Sequence, residues 1–310
     1  MCSKSRILNF LTLLFFSWFF MSHALSQTAS EQAVRIAVEK TSRIFSSGNI
    51  VVTVFTPPPN SSANRGAVII NHGGIGLPAE RAAMKRLRYP AISKVFLDMG
   101  FTVLLPLRRG HGSSSGPWAD EFYGNSARPD YIGGGYSAAD DILATALYAS
   151  SLPGIDKSRI FLVGQSLGGW ASLAAIAKDE SNLIAGVINF AGGIGYYREQ
   201  LKGLEHPNLL IEGAGLYGAK SKVPSLWLYT SNDSRFSVET INSMFNAYFK
   251  ENSLADLELF PAFGNDGHSL FGVGSHLWRE TVKRWLERQV GLGVLAEMSV
   301  RIPACTESDC

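Results

Sequence analysis

From Asn49 onward, short apolar runs of strand length alternate with longer stretches of helical spacing, and this alternation restricts the fold more than any other feature. Asn49 to Thr56 is rich in β-branched residues and stops at Pro57-Pro58-Pro59. Further strands are predicted over Ala67 to Asn71, Phe101 to Leu105 (ending at Pro106), Arg159 to Val163, Ile184 to Phe190, Ser225 to Thr230 and Asp256 to Phe260. Helical stretches are predicted around Glu80 to Met99, interrupted near Pro90, and over Gly135 to Ser151, Leu167 to Lys178, Val238 to Glu251 and His276 to Val290. Strands that are apolar throughout are buried on both faces, and strands separated by helices run parallel. The expected fold is therefore α/β, a doubly wound, mostly parallel sheet. In such sheets ligands sit beyond the carboxyl ends of the strands.

The chain has 310 residues, 46% of them hydrophobic, which is ample for a core and too apolar for a disordered chain. No charge run, low-complexity block or internal repeat divides it, so residues 27–310 are expected to form a single domain with a short C-terminal tail. The first 26 residues read differently. Lys4 and Arg6 precede an uncharged apolar run from Ile7 to Met21, and Ala24-Leu25-Ser26 supplies small residues before Gln27. This is the layout of a secretory signal peptide, cut after Ser26, and it implies an exported, periplasmic or secreted, mature chain. The run falls short of the roughly 20 residues that span a bilayer, so no stable membrane insertion is expected after cleavage. Cleavage removes two basic and no acidic residues, taking the formal charge from +2 to 0, which gives no electrostatic reason to expect nucleic acid. Of the cysteines, Cys305 and Cys310 remain; they either close a small loop in an oxidising compartment or stay as free thiols on the tail. Nothing in the sequence sets an oligomeric state.

The pattern G-x-S-x-G occurs twice, at Gly112-Ser113-Ser114-Ser115-Gly116 and at Gly164-Gln165-Ser166-Leu167-Gly168. Context separates them. Ser166 follows a predicted strand and directly precedes a predicted helix, the sharp turn that lifts a nucleophile above a sheet and points it at a helix N-terminus. Glycines at −2 and +2 relieve the crowding of such a turn. Ser114 has no such context, and Pro117 lies just beyond it, so its stretch reads as a loop. Ser166 is the candidate nucleophile.

A serine hydroxyl needs a base to take its proton. Of His72, His111, His206, His268 and His276, only the last three follow Ser166. His206 precedes the Ser225 strand and His276 opens the last helix, whereas His268 lies in the Gly264-Asn265-Asp266-Gly267 loop after the last strand, where a base belongs. Asp233, just past the Ser225 strand, is the candidate acid that fixes the imidazole tautomer. Asp266 is its rival, two residues from His268, and is expected instead to shape its own turn. An oxyanion site needs two backbone N–H groups. Leu167 supplies one, and the His72-Gly73-Gly74-Ile75-Gly76 loop the other, with Gly74 ahead of Ile75. His72 is expected to hold that loop by side-chain hydrogen bonds. Arg108 and Arg109, in Arg108-Arg109-Gly110-His111-Gly112, either bind an anionic substrate group or pair structurally with Asp or Glu.

Together the His72-Gly73-Gly74 turn, the Arg109-Gly110-His111-Gly112 loop, the Ser166 elbow, Asn232-Asp233 after Trp227-Leu228-Tyr229, and Asp266-Gly267-His268 resemble the α/β-hydrolase superfamily, within it the dienelactone-hydrolase-like branch. The resemblance spans roughly Ile50 to Arg288. It implies hydrolysis of an ester or related acyl bond through an acyl-enzyme, with a small-molecule substrate and no metal or organic cofactor. Dienelactone hydrolases proper usually carry a cysteine nucleophile where this chain has Ser166, so the resemblance implies a general esterase rather than that lactone. The interval from Phe190 to Ser225, with Gly192-Gly193, Tyr196-Tyr197, Leu209-Leu210-Ile211 and Tyr217, leaves room for a short lid only. An exported serine esterase is thus the leading reading, ahead of a serine peptidase of the same fold and of a catalytically silent binding protein.

Overall fold

The computed structural model describes residues 27–39, 47–58, 66–119, 124–125, 127–198, 203–291 and 300–305. The signal-peptide expectation for residues 1–26 lies outside them, as does Cys310. Among the described residues no helix is long and apolar enough to cross a membrane.

Eight strands form the main sheet: β1 Ser30–Val38, β2 Gly48–Thr56, β3 Ala67–Asn71, β4 Thr102–Leu107, β5 Ile160–Gln165, β6 Gly186–Phe190, β7 Ser225–Thr230 and β8 Ala255–Phe260. Their spatial order is β8-β7-β6-β5-β3-β4-β2-β1. β2 pairs antiparallel with both β1 and β4, and every other pairing is parallel. The central strands β3 and β6 are buried at every residue, as expected for strands covered on both faces. β1 was not anticipated. It is an edge strand, largely solvent-facing, and its Ser30-Glu31-Gln32 start carries polar side chains suited to that position.

The helices are α1 Pro78–Ala82, α2 Pro90–Asp98, α3 Tyr131–Ser151, α4 Leu167–Lys178, α5 Pro207–Lys220, α6 Val238–Glu251, α7 Leu270–Val273 and α8 Ser275–Val290. One face of the sheet is covered by α3 to α6, through Ile142, Trp170, Leu173, Tyr217 and Met244. The other face packs Phe96 of α2 and Trp278 and Trp285 of α8 over Phe161 and Phe190. Each fully buried aromatic or large aliphatic side chain contributes roughly 1.5–3 kcal/mol relative to exposure.

Several boundaries differ from expectation for identifiable reasons. The stretch Glu80 to Met99 is two helices, with Pro78 and Pro90 each in a first turn, where a missing N–H costs nothing. Helix α3 begins at Tyr131 because Asp130 caps it, its Oδ1 accepting the Gly133 N–H at 2.7 Å. Strand β4 runs through Pro106 to Leu107. Its parallel partner β3 pairs only as far as Leu104, so Pro106 interrupts no ladder on that side. The interval between β6 and β7 holds a two-stranded hairpin, Tyr197–Arg198 against Gly203–Leu204, and then α5. Gly193 to Gly195 and the hairpin border the site, whereas α5 is part of the helical layer on the sheet. Near the C-terminus Val300–Arg301 pairs with Gln27–Thr28, and Cys305 is disulfide-bonded to a partner outside the described residues.

Candidate active site

Ser166 occupies the tight turn between β5 and α4 with φ 55° and ψ −124°. This is left-handed backbone that costs a non-glycine residue on the order of 1–3 kcal/mol and persists only where neighbours over-determine it. They do so here. The Ser166 N–H donates to the Phe190 carbonyl at 2.9 Å, and its own carbonyl accepts from Gly169, Trp170 and Gly193 at 2.9, 3.1 and 3.2 Å. A Cβ at Gly164 would strike the Gly168 carbonyl, and one at Gly168 would strike the carbonyls of Asn71 and His72. Both motif glycines are thus required by close backbone approach, which seats the β3 loop beside the nucleophile turn.

Asp233 and His268 come together across the ends of β7 and β8. The His268 Nδ1 lies 3.0 and 3.1 Å from the two Asp233 carboxylate oxygens, and the Asp233 side chain is fully buried. Asp233 Oδ1 also accepts the Arg235 and Phe236 N–H groups at 2.8 and 3.1 Å, so its carboxylate cannot swing away. That partner makes Nδ1 the protonated nitrogen and leaves Nε2 as a free base. Asn232 stitches the two loops: its amide donates to the carbonyls of Phe263 and Gly264, its Oδ1 accepts the Phe263 N–H at 2.8 Å, and its carbonyl accepts that of Gly267. No spacing along the chain marks Asn232 for this role. Asp266 accepts from the His268 N–H and from the Ser234 N–H and hydroxyl, shaping the turn as expected.

Gly74 and Leu167 lie side by side, since a Cβ at Gly74 would sit 3.2 Å from Leu167 Cδ1. The glycine loop has no regular structure, yet its carbonyls are claimed. Arg108 donates to the His72 and Gly73 carbonyls at 2.7 and 3.3 Å, and Arg81 to that of Gly76 at 2.7 Å. Carbonyls held in this way prevent the loop from turning freely. Arg109 is equally buried and pairs with Asp141 of α3 (Nε–Oδ1 2.5 Å), with its N–H on the other carboxylate oxygen at 2.6 Å. Burial pushes the Asp141 carboxyl up to about 6, against the opposing pull of Arg109. Of the two readings of these arginines, the structural one fits, because neither lines the cavity around Ser166.

His72 is buried beneath the loop. Burial, with the nearby Arg108 and His111, holds its imidazole well below the ordinary histidine range. The neutral ring then donates from Nδ1 to the Gly73 carbonyl at 2.7 Å and accepts the Arg108 N–H on Nε2 at 3.3 Å. An unfolded histidine takes up its proton near pH 6.5 while the folded one resists it, so stability from this group is present above that pH and lost below it. Compared with His72→Gln, the wild-type protein should lose part of its relative stability between pH 8 and pH 5 in denaturant titrations. A pH-independent gap would contradict the buried neutral ring.

Ser114 also takes a structural part, donating to the Leu107 carbonyl at 2.6 Å and accepting the Val51 N–H at 2.9 Å. His276 sits in the first turn of α8 with its ring toward Phe263. A cavity of about 410 Å³ opens over the elbow, with Ser166, Leu167, Gly74 and His268 on its floor. Trp118, Leu204, Arg235 and Phe236 add walls that no motif along the chain marks, and Tyr197 comes from the interval expected to form the short lid. Arg81 stacks over Trp118 at 3.7 Å and Arg235 over Tyr197 at 5.4 Å. A larger cavity, about 850 Å³, lies at the opposite ends of the strands around Lys178, Asp179 and Lys222. It joins no serine to a histidine, so its size carries no catalytic meaning. Among the described residues no group of three His, Cys, Asp or Glu side chains is placed to hold a metal ion.

A model of the Alpha/beta hydrolase family matches residues 69–299. Among solved structures, the Pyrococcus furiosus esterase Pf2001 is similar at TM-score 0.59 and 18% identity, over 85% of this chain and 94% of that one. Est1E of Butyrivibrio proteoclasticus, solved with ferulic acid, is similar at 0.54 and 20%, over 79% and 96%. The Pyrococcus horikoshii acylaminoacyl peptidase is similar at 0.59 and 18%, over 84% of this chain but 41% of the peptidase. No curated protein matches the sequence.

Proposed function

The chain belongs to the alpha/beta hydrolase family, and on that premise we propose that it is an exported serine hydrolase that cleaves carboxylic esters through an acyl-enzyme on Ser166. The observation that carries this reading is a single cavity holding Ser166 on a strained elbow together with His268, whose ring is fixed by the buried Asp233. His268 Nε2 takes the Ser166 hydroxyl proton as Oγ attacks the ester carbonyl, and the oxyanion is received by the N–H groups of Leu167 and Gly74. Asp233 stabilises the imidazolium without taking its proton. The imidazolium protonates the departing alkoxide, the alcohol leaves, and a water activated by the same histidine returns the acid and the free serine. Export rests on the Lys4–Arg6 start, the apolar run and the Ala24-Leu25-Ser26 site, and one hydrolase domain follows that segment. The order of the loop motifs supports the dienelactone-hydrolase-like branch, with Ser166 favouring simple esters.

A peptidase would use the same machinery, and a peptidase is among the similar structures, although this chain spans only 41% of it. Matched substrates separate the two. Purified protein should cleave p-nitrophenyl butyrate faster than a peptide p-nitroanilide. The reverse order would favour the peptidase, and folded protein inert toward both would favour a binding role.

A further inference from the structure

Two cavities share His268. Beside the one holding Ser166 lies a second, of about 430 Å³, lined by Tyr89 and Ile92 at the start of α2, by Phe271 and Val273 of α7, and by Gln165 and His268, which belong to both. It touches neither Ser166, Leu167 nor Gly74. Gln165 stands at the junction: its Nε2 donates to the His268 carbonyl at 3.4 Å, and its Oε1 lies 2.7 Å from where a Cβ on Gly73 would be. The two spaces differ in character. The first carries the Arg235 guanidinium, while the second has no Asp, Glu, Lys or Arg side chain among its described lining residues.

The chemistry supplies a direction. In the tetrahedral intermediate the carbonyl carbon is bonded to Ser166 Oγ and its oxygen faces Leu167 and Gly74. The leaving oxygen must reach His268 to receive a proton, so the leaving group lies on the histidine side. We infer that the second cavity receives the leaving alcohol, and that the substrate is an ester of an apolar, alkyl or aryl, alcohol. The inference rests on the serine-hydrolase reading and names its substrate class. A space of this volume and lining accepts a small organic group, and burying each further methylene in it strengthens binding.

The test is kcat/KM for acetates of alcohols from methyl to hexyl, which all form the same acetyl-enzyme and differ only in the group that leaves. The expected rise is about two- to fourfold per methylene. Val273 of α7 is 68% exposed and Ala91 of α2 is exposed, and both line this cavity, so Val273→Trp and Ala91→Trp fill it from independent elements. Each should collapse the alcohol-length slope while the slope across p-nitrophenyl esters of growing acyl length keeps its wild-type value. A flat wild-type alcohol series, an alcohol slope that survives both substitutions, or loss of the acyl slope instead would overturn the assignment. Absence of any ester cleavage, with Ser166 unlabelled by a phosphonate, marks failure of the hydrolase reading itself and removes the inference with it.

Discussion

Replacing Ser166 with alanine should lower kcat on a simple ester by on the order of a millionfold, and His268→Ala should cost about as much. The double variant should be hardly slower than either single one. The reason lies in the division of labour: the Ser166 hydroxyl is nucleophilic only while His268 Nε2 takes its proton, and that nitrogen has no other task in the step. Removing either partner removes the whole unit, leaving binding and the Leu167 and Gly74 N–H groups to supply residual rate. Asp233→Asn should be milder, near ten-thousandfold, because the ring remains in place in the wrong tautomer. Losses that multiply between Ser166→Ala and His268→Ala would show that the two act separately.

The largest effect on stability should follow Asp141→Asn. Arg109 and Asp141 side chains are 2% and 0% exposed, and two arms join them, through the guanidinium and through the Arg109 N–H. With its carboxyl pushed only to about 6, Asp141 is ionised at neutral pH. Asparagine keeps the shape and removes the charge, leaving a guanidinium buried without its counter-ion, at a cost of about 3–5 kcal/mol. For a chain of this size that corresponds to a fall in Tm on the order of 10 °C. Arg288–Asp256 provides the contrast, since both side chains are more than half exposed and Asp256→Asn should change stability by under about 1 kcal/mol. Equal shifts for the two substitutions in thermal unfolding would contradict the burial argument. The pair bears on the site as well, because Arg109 adjoins Arg108, which holds the carbonyls of the glycine loop.

Most of the sheet was legible because its strands are short, apolar throughout and separated by helical spacing. Ala67 to Asn71 and Ser225 to Thr230 have the expected bounds, as do the helices Leu167 to Lys178 and Val238 to Glu251. Helix α5 was not legible. Its Leu210, Ala214 and Tyr217 form a helical stripe, but Gly213, Gly215 and Gly218 read as breakers. Gly213 and Gly218 are there because Trp170 and the Tyr248 backbone press against the helix, and only the assembled fold supplies those neighbours. The same limit applied at the site. Ser166, Asp233 and His268 each stand at a strand end that local pattern can locate, and the fold brings Asp233 to His268 and His268 to the cavity of Ser166. Trp118, Arg81 and Asn232 act through contacts with distant loops, which no spacing along the chain encodes. Strand β1 escaped for a related reason: an edge strand needs no continuous apolar run.

Intact-mass labelling of the purified protein with a fluorophosphonate, followed by peptide mapping, tests the nucleophile most directly. One adduct is predicted, on Ser166, absent from Ser166→Ala and absent from Ser114. Folded protein that takes no label, or an adduct on Ser114, would contradict it.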